Sequence, residues 1–395
     1  MQTGRKIRVA FFAEILLEEL DGATRTMFQL LRRIDRTQFE FLFFCAVGPK
    51  QIQGFPCVHL PALTLPMNQQ YKMVLPFLAK KKLQEELETF KADVIHIATP
   101  SLLGQFAAKY AAQHYIPVLT IYHTHFISYI DSYLAHAPFL IPAIRGQLLQ
   151  VQKSFYNLCG KIYVPSESIA QELLNSGIDA SRLQLWKRGI DTSLFSPHKR
   201  LDKVMHVLTR NKRKNILFVS RLVWEKNLAT LFRIYDLVEE LNLPYNLVVV
   251  GDGLARKDCE ARMPHAFFTG RLSHDSLAPV YASADVFVFP SVTETYGNVV
   301  LEAMASGLPC VIADGGGSRD LIRHGENGFR CAPYDAHDYV EKIQSILERP
   351  GMAQHFIQQG LLLSASLDWE KLAETYFLDL QHLAFGTIFP VLTPA

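Results

Sequence analysis

Six cysteines are scattered along the chain (Cys45, Cys57, Cys159, Cys259, Cys310 and Cys331), and no two of them form a C-x-x-C pair. Most sit in apolar runs, which marks them as reduced, buried side chains and points to a cytosolic compartment. No stretch reaches the roughly 18 uninterrupted apolar residues of a membrane span. The basic start, Met1-Gln-Thr-Gly-Arg-Lys-Ile-Arg8, leads into apolar residues that Glu14, Glu18, Glu19 and Asp21 interrupt too early for a signal peptide. No aspartate lies two residues from another, so the metal-holding Asp-x-Asp pattern is missing. Gly251-Asp-Gly253 lacks the third glycine of a dinucleotide fingerprint and follows the wrong strand for one. Charge of one sign is scarce as well: 40 Lys and Arg against 38 Asp and Glu leave +2, without the concentrated basic surface of a nucleic-acid binder. These absences describe a cytoplasmic protein, in solution or lying peripherally on the cytoplasmic face of a membrane.

What is present is apolar material in short runs. Hydrophobic residues make up 49% of 395, ample for two domains. Runs at 7–12, 39–47, 58–60, 94–97, 118–122 and 162–164 read as strands, with helical patterns between them, 22–34 among these. Alternation of this kind predicts a parallel sheet covered on both faces, a Rossmann-like domain whose ligands gather at the carboxyl ends of the strands. Periodicity lapses after Trp186, and 198–214 is markedly basic, as in a solvated linker. A second set of strands follows at 216–220, 247–250, 267–271, 285–290 and 309–313, then helices at 335–347 and 369–385.

The most informative stretch is Pro290-Ser-Val-Thr-Glu-Thr-Tyr-Gly-Asn-Val-Val-Leu-Glu302. A strand enters it and a helix leaves it at about Asn298, so Tyr296, Gly297 and Asn298 form a helix N-terminus. Its free backbone N–H groups and dipole favour an anion such as phosphate. Glu294 and Glu302 flank this turn with seven residues between them. Carboxylates beside an anion site are there to accept hydrogen bonds from hydroxyl groups, and a phosphate carrying hydroxyl-rich groups is a sugar nucleotide. Arg221 and Lys226 follow the first strand of the second set, where a doubly wound sheet binds phosphate, and supply two cations to a diphosphate. Gly251 makes a close backbone turn beside the nucleotide. His123, in Tyr122-His-Thr-His125, ends a strand of the first set. It could bind phosphate or cap a helix; the two histidines find no third ligand of convincing spacing, so no metal is expected.

With these residues in place the chain resembles the retaining glycosyltransferases of family 4 (group 1, GT-B fold). Sulfoquinovosyl diacylglycerol synthases and GDP-mannose-dependent α-mannosyltransferases come nearest, and the likeness extends over the whole length. The resemblance implies two Rossmann-like domains facing across a cleft. In the family, Arg221 and Lys226 neutralise the leaving diphosphate and His123, rather than His125, contacts the transferred sugar. Gly22 falls where a glycine lets donor and acceptor approach the backbone, although Phe11-Phe12-Ala13-Glu14 replaces the polar strand end common in relatives. Arg271 closes the strand that carries the base-binding backbone. Gly189, Ile190, Asp191, Phe195 and Pro197 match a Gly-hydrophobic-Asp, Phe, Pro motif at the domain junction, and the last helix is expected to cross back onto the first domain. The expected division is 1–190 with 368–395, a linker 191–214, and 215–367.

The expected activity is metal-independent transfer of a hexose, with retention, from a UDP- or GDP-linked sugar to an acceptor hydroxyl. Glu294 would hold the donor sugar and Glu302 the ribose; no cofactor is needed, because the nucleotide diphosphate sugar is a substrate. A glycolipid or lipid precursor is the expected acceptor, a glycan the other. Residues 66–90 join apolar side chains to Lys80-Lys81-Lys82, either as a segment lying on an anionic membrane or as a helix packed on its own domain with a solvated tip. Residues 126–158, rich in aromatics, read as two helices broken near Pro138 and Pro142. An NAD-dependent oxidoreductase fails for want of the fingerprint, a phosphorylase needs a pyridoxal lysine in a longer chain, and an epimerase needs no acceptor cleft. The remaining alternative is a nucleotide-sugar-binding or scaffold protein of the same fold without turnover.

Overall fold

Buried strands made of β-branched and aromatic residues dominate the computed structural model, which describes residues 5–18, 22–65, 68–123, 139 and 141–386. The first half runs β1 (Ile7–Phe12), α1 (Gly22–Leu31), β2 (Phe39–Cys45), β3 (Gln51–Ile52), β4 (Phe55–His59), β5 (Ala62–Leu65), β6 (Asn68–Val74), α2 (Lys80–Phe90), β7 (Val94–Ile97), α3 (Leu102–Gln113), β8 (Val118–Ile121), α4 (Ile141–Tyr156), β9 (Lys161–Val164), α5 (Glu167–Asn175) and β10 (Leu183–Leu185). The second half runs α6 (Asp202–Thr209), β11 (Lys214–Val219), α7 (Leu228–Glu240), β12 (Tyr245–Val250), α8 (Arg256–Arg262), β13 (Phe267–Gly270), α9 (His274–Ser283), β14 (Val286–Phe289), α10 (Asn298–Ala305), β15 (Cys310–Ala313), β16 (Phe329–Cys331), α11 (Ala336–Glu348), α12 (Pro350–Ser366) and α13 (Trp369–Phe385).

Two sheets result, with strand orders β10-β9-β8-β7-β1-β2-β4-β3 and β13-β12-β11-β14-β15-β16. Within these two sheets the recorded pairs are parallel except β3 with β4, and β5 with β6 forms a separate antiparallel pair. In each sheet the opening strand lies inside, so strand order reverses beside β1 and beside β11. Ligands of open α/β sheets bind at that reversal, outside the carboxyl ends. The two faces of the first sheet carry separate apolar clusters, and the second sheet has its own.

The chain passes between the sheets twice. Going out, Trp186 stacks on Tyr163 with ring centroids 5.1 Å apart. Coming back, α13 lays Trp369, Ala373, Tyr376 and Leu380 into the cluster that holds Ile7 and Val9. Polar ties fix it there: Lys161 Nζ lies 2.6 Å from Asp379 Oδ1, and Tyr376 Oη lies 3.0 Å from His96 Nδ1. The two passages touch, with Ile190 N–H donating to Leu367 O at 3.1 Å. A Cβ on Gly189 would stand 2.7 Å from the Trp369 ring, so only glycine allows this crossing.

Three local readings change. The stretch 198–214, read as solvated linker, contains α6, whose Met205 is buried in the second cluster. Residues 66–90 are partly helical, as the sequence suggests, and the change is that β5 and β6 form an antiparallel hairpin, tied to β1's exit by Val74 N–H donating to Glu14 Oε2 at 2.7 Å. The turn Asp314-Gly-Gly-Gly-Ser318, which its three glycines mark in the sequence as flexible, is held where Gly317 N–H donates to Glu294 O at 2.6 Å. Of the aromatic segment, α4 is described, with Pro142 in its first turn; His125, Phe126, Tyr129, Tyr133 and Pro138 lie outside the described residues.

Candidate active site

β11 ends at Val219 and the chain turns through Arg221 into a short 3-10 turn, Trp224–Lys226. Lys226 is 6% exposed, and its Nζ pairs with Glu294 Oε1. Ser291 Oγ donates to the same oxygen at 3.1 Å. Burial pushes the Glu294 carboxyl up, but Lys226, with help from Ser291 and Arg221, outweighs it and holds the group below the usual range. Glu294 is therefore an ionised acceptor at neutral pH. Arg221, by contrast, is largely exposed, its guanidinium 3.9 Å from Glu225. Lys226 thus spends part of its charge on Glu294, while Arg221 stays available to an incoming anion.

The helix mouth follows directly. Gly297 adopts φ +89°, a left-handed conformation, and caps α10 without any side-chain bond. Its missing Cβ matters twice, because one would lie 2.6 Å from Ser318 Cβ. Across the gap Gly22 opens α1, where an added Cβ would meet Asn298 Nδ2 at 2.8 Å. Two helix N-termini from opposite sheets therefore converge, and their dipoles reinforce one another toward an anion. Gly251, at φ +135°, leaves β12 so close to β11's exit that a Cβ would fall 1.8 Å from Ser220 O. Arg271 is exposed at the end of β13.

One turn inside α10, Glu302 is buried with Tyr281 Oη donating to its Oε2 at 3.1 Å. His274 Nε2 stands 3.7 Å from the other oxygen, and Arg25 of α1 reaches that same histidine nitrogen. Burial raises the Glu302 carboxyl to about 7, with Tyr281 and Arg25 opposing. His123 approaches from the first sheet, at the end of β8. It is buried, and neither ring nitrogen has a hydrogen-bond partner among the described residues. Burial, then the charges of Arg188 and His96, depresses its pKa well below the ordinary value, so the ring is neutral. Thr295 Oγ1 donates to His123 O at 3.0 Å and so binds the two sheets at this point.

His123, Lys226, Glu294, Tyr296, Gly297, Asn298, Glu302 and Gly22 thus meet at one place, with Arg221, Gly251 and Arg271 on the same strand ends. Sequence reasoning passed over Arg188, Arg25, His274 and Tyr281. Only Arg188 carried a local signal, as the residue directly before Gly189-Ile190-Asp191.

Comparison with known proteins follows this geometry. Residues 202–362 match the family Glycosyl transferases group 1, and residues 20–194 match Glycosyltransferase Family 4. The GDP-mannose-dependent alpha-mannosyltransferase of Corynebacterium glutamicum is 31% identical over 356 residues, covering 88% of this chain and 81% of its own. The chain belongs to the group 1 glycosyltransferases. Sulfoquinovosyl transferase SQD2 of Arabidopsis thaliana is 32% identical to the transferase over 308 residues, 76% of this chain and 58% of its own. Alpha-monoglucosyldiacylglycerol synthase of Streptococcus pneumoniae is 23% identical over 389 residues, 94% of this chain and 86% of its own. Among solved structures, Anabaena HepE in complex with UDP and glucose superposes with a TM-score of 0.72 at 18% identity, over 95% of the transferase and 99% of its own chain. Its GT-B fold is the fold of this transferase.

Proposed function

We propose that the transferase moves a hexose from a nucleotide diphosphate sugar to a hydroxyl of a membrane glycolipid or lipid precursor, with retention at the anomeric carbon and without a metal. The observation that carries this reading is the convergence of Lys226, Glu294, the Gly297 turn and Glu302 of one sheet on His123 of the other. The bond between anomeric carbon and phosphate oxygen breaks with its electron pair passing to the diphosphate. Arg221, Lys226 and the N–H groups at Tyr296 to Asn298 are aimed at that growing charge, which is where electrostatic catalysis gains most. The acceptor oxygen bonds to the carbon, and its proton leaves with the departing phosphate. Glu302 accepts from the ribose, Glu294 from the donor sugar, and neutral His123 orients that sugar from the opposite side. The two cations do the work a metal does elsewhere, so none is required.

The lipid acceptor is supported by the printed name of one relative, an alpha-monoglucosyldiacylglycerol synthase. Exposed Phe77 and Leu78 ahead of Lys80, Lys81 and Lys82 offer a surface that meets a membrane. No helix among the described residues is long and apolar enough to cross one.

The decisive experiment is thermal stabilisation by UDP, GDP, ADP and their common sugars, repeated with Glu302→Ala and Lys226→Ala. A ligand at 100 times its dissociation constant should add about 2.7 kcal/mol. One nucleotide is expected to raise the melting temperature, less so in both variants. If none shifts the wild type at millimolar concentration, the reading fails. Donor hydrolysis without acceptor separates a transferase from a binding protein of the same fold, which would show none.

A further inference from the structure

Arg188 lies on the outward passage between the sheets, one residue before the crossing glycine. Its side chain is turned inward rather than toward solvent and is 6% exposed. One guanidinium nitrogen reaches Asn298 Oδ1 at 3.2 Å and another reaches Thr295 Oγ1 at 3.3 Å. These two residues bracket the Gly297 turn. Between them the Tyr296 ring lies beneath the guanidinium, 5.8 Å from its carbon, and Tyr296 Oη donates to Arg188 O at 3.2 Å. The same Thr295 hydroxyl that accepts from Arg188 donates to His123 O, so the chain of contacts continues into the first sheet.

A buried guanidinium is costly to place, and its planar fork is suited to fixing two acceptors at a set separation. Both acceptors here belong to the anion turn. We propose that Arg188 is a positioning residue for the transfer, fastening residues 295–298 to the junction and, through Thr295, to His123. The turn's N–H groups and the sugar-side histidine are then held in register, each side of the reacting carbon set by one side chain. This inference rests on the transferase reading above and goes beyond it, because Arg188 is given no contact with the diphosphate: its effect is on alignment, and a displacement of about 1 Å at a reacting centre costs on the order of 100-fold in rate.

The test compares wild type with Arg188→Lys, Arg188→Ala and Thr295→Val, using the nucleotide and sugar found to stabilise the wild type. Arg188→Ala should lower kcat about 100-fold with donor KM within about threefold, since Arg221 and Lys226 are untouched. Lysine, which keeps charge but not the fork, should restore less than about a tenth of the loss, and millimolar guanidinium should rescue the alanine variant where sodium chloride does not. Thr295→Val, nearly isosteric but leaving Arg188 and His123 O without that partner, should lower kcat about tenfold with only a modest fall in melting temperature. The inference is overturned if lysine equals wild type, if the loss lies wholly in KM, or if Thr295→Val is silent while the wild type turns over. A wild type that binds no nucleotide would sink the transferase reading instead, so the two failures are distinguishable.

Discussion

Glu302 and Glu294 answer pH in opposite directions. For Glu294, held below its ordinary value by Lys226, the stabilisation is present above the unfolded pKa and is lost as pH falls through the folded one. For Glu302, raised from 4.5 to about 7, the folded chain keeps a proton that the unfolded chain gives up. Stability therefore falls as pH rises between those two values, by about 3 kcal/mol once both states are ionised. Burial raises this carboxyl, and Tyr281 and Arg25, which face it together with His274, hold the rise down. Glu302→Gln, without nucleotide, should melt above wild type at about pH 8 and converge with it near pH 4.5. Nucleotide binding should run the other way, strengthening as pH rises through about 7, because a ribose hydroxyl donates to the ionised carboxylate. Thermal melts and calorimetry across that range check both; parallel curves for wild type and variant would show that Glu302 keeps an ordinary pKa.

At the scale of elements, the hairpin β5–β6 and the start of α2 form an exposed apolar feature that bears on the proposed lipid acceptor. The 3-10 turn Pro76–Leu78 leaves Phe77 70% and Leu78 61% exposed, and Leu63 of the hairpin is 57% exposed. Burying such side chains is worth about 1.5–3 kcal/mol each, and each lysine near an anionic surface adds about 1 kcal/mol. The transferase should therefore sediment with anionic vesicles and much less with neutral ones. Phe77→Ser with Leu78→Ser should weaken that partitioning by at least about tenfold. Equal sedimentation with both vesicle types, or no effect of the paired substitution, would remove this surface from the acceptor's path. The hairpin itself was not legible in advance. Asn68-Gln-Gln-Tyr-Lys lacks the β-branched run that announced β8 or β12, and its strand is anchored by Glu14, some sixty residues away. Most strands of both sheets were legible because they are buried apolar runs between turn residues; β3, β10 and β16 were not, being only two or three residues long. Glu294, Glu302, Lys226 and His123 were legible because each falls at a strand exit or helix start. Arg188 and Arg25 make their contacts across the gap between sheets and His274 meets Glu302 from the neighbouring helix, and no local periodicity reports such contacts.

For the molecule as a whole, what matters is how the two sheets are kept facing each other. The chain crosses between them at Gly189 and Leu367, and the opposing rims meet at the start of α5. Ser168 N–H donates to Asp320 Oδ2 at 2.7 Å, and Ser166 Oγ donates to Thr295 O at 3.2 Å. Asp320 thereby places a carboxylate at the positive end of a helix from the other half, a favourable arrangement of charge and dipole. The Ser166 bond lands on the residue between Glu294 and Tyr296, so closing the rims and shaping the anion turn are one event. A charge-assisted bond contributes about 1.5–3 kcal/mol and a neutral one about 1 kcal/mol, so losing both should move the open–closed equilibrium by about 100-fold. The double variant Ser166→Ala, Asp320→Ala should show a larger radius of gyration by small-angle scattering, with saturating donor returning it toward the wild-type value. Because closure assembles His123 against the Gly297 turn, donor KM should rise in inverse proportion to the closed fraction while the chemical step of the closed complex is unchanged. If the radius and KM both match wild type, the rims add nothing to closure, and the crossing at Ile190 and Leu367 with the Thr295–His123 and Arg25–His274 contacts sets the angle between the sheets.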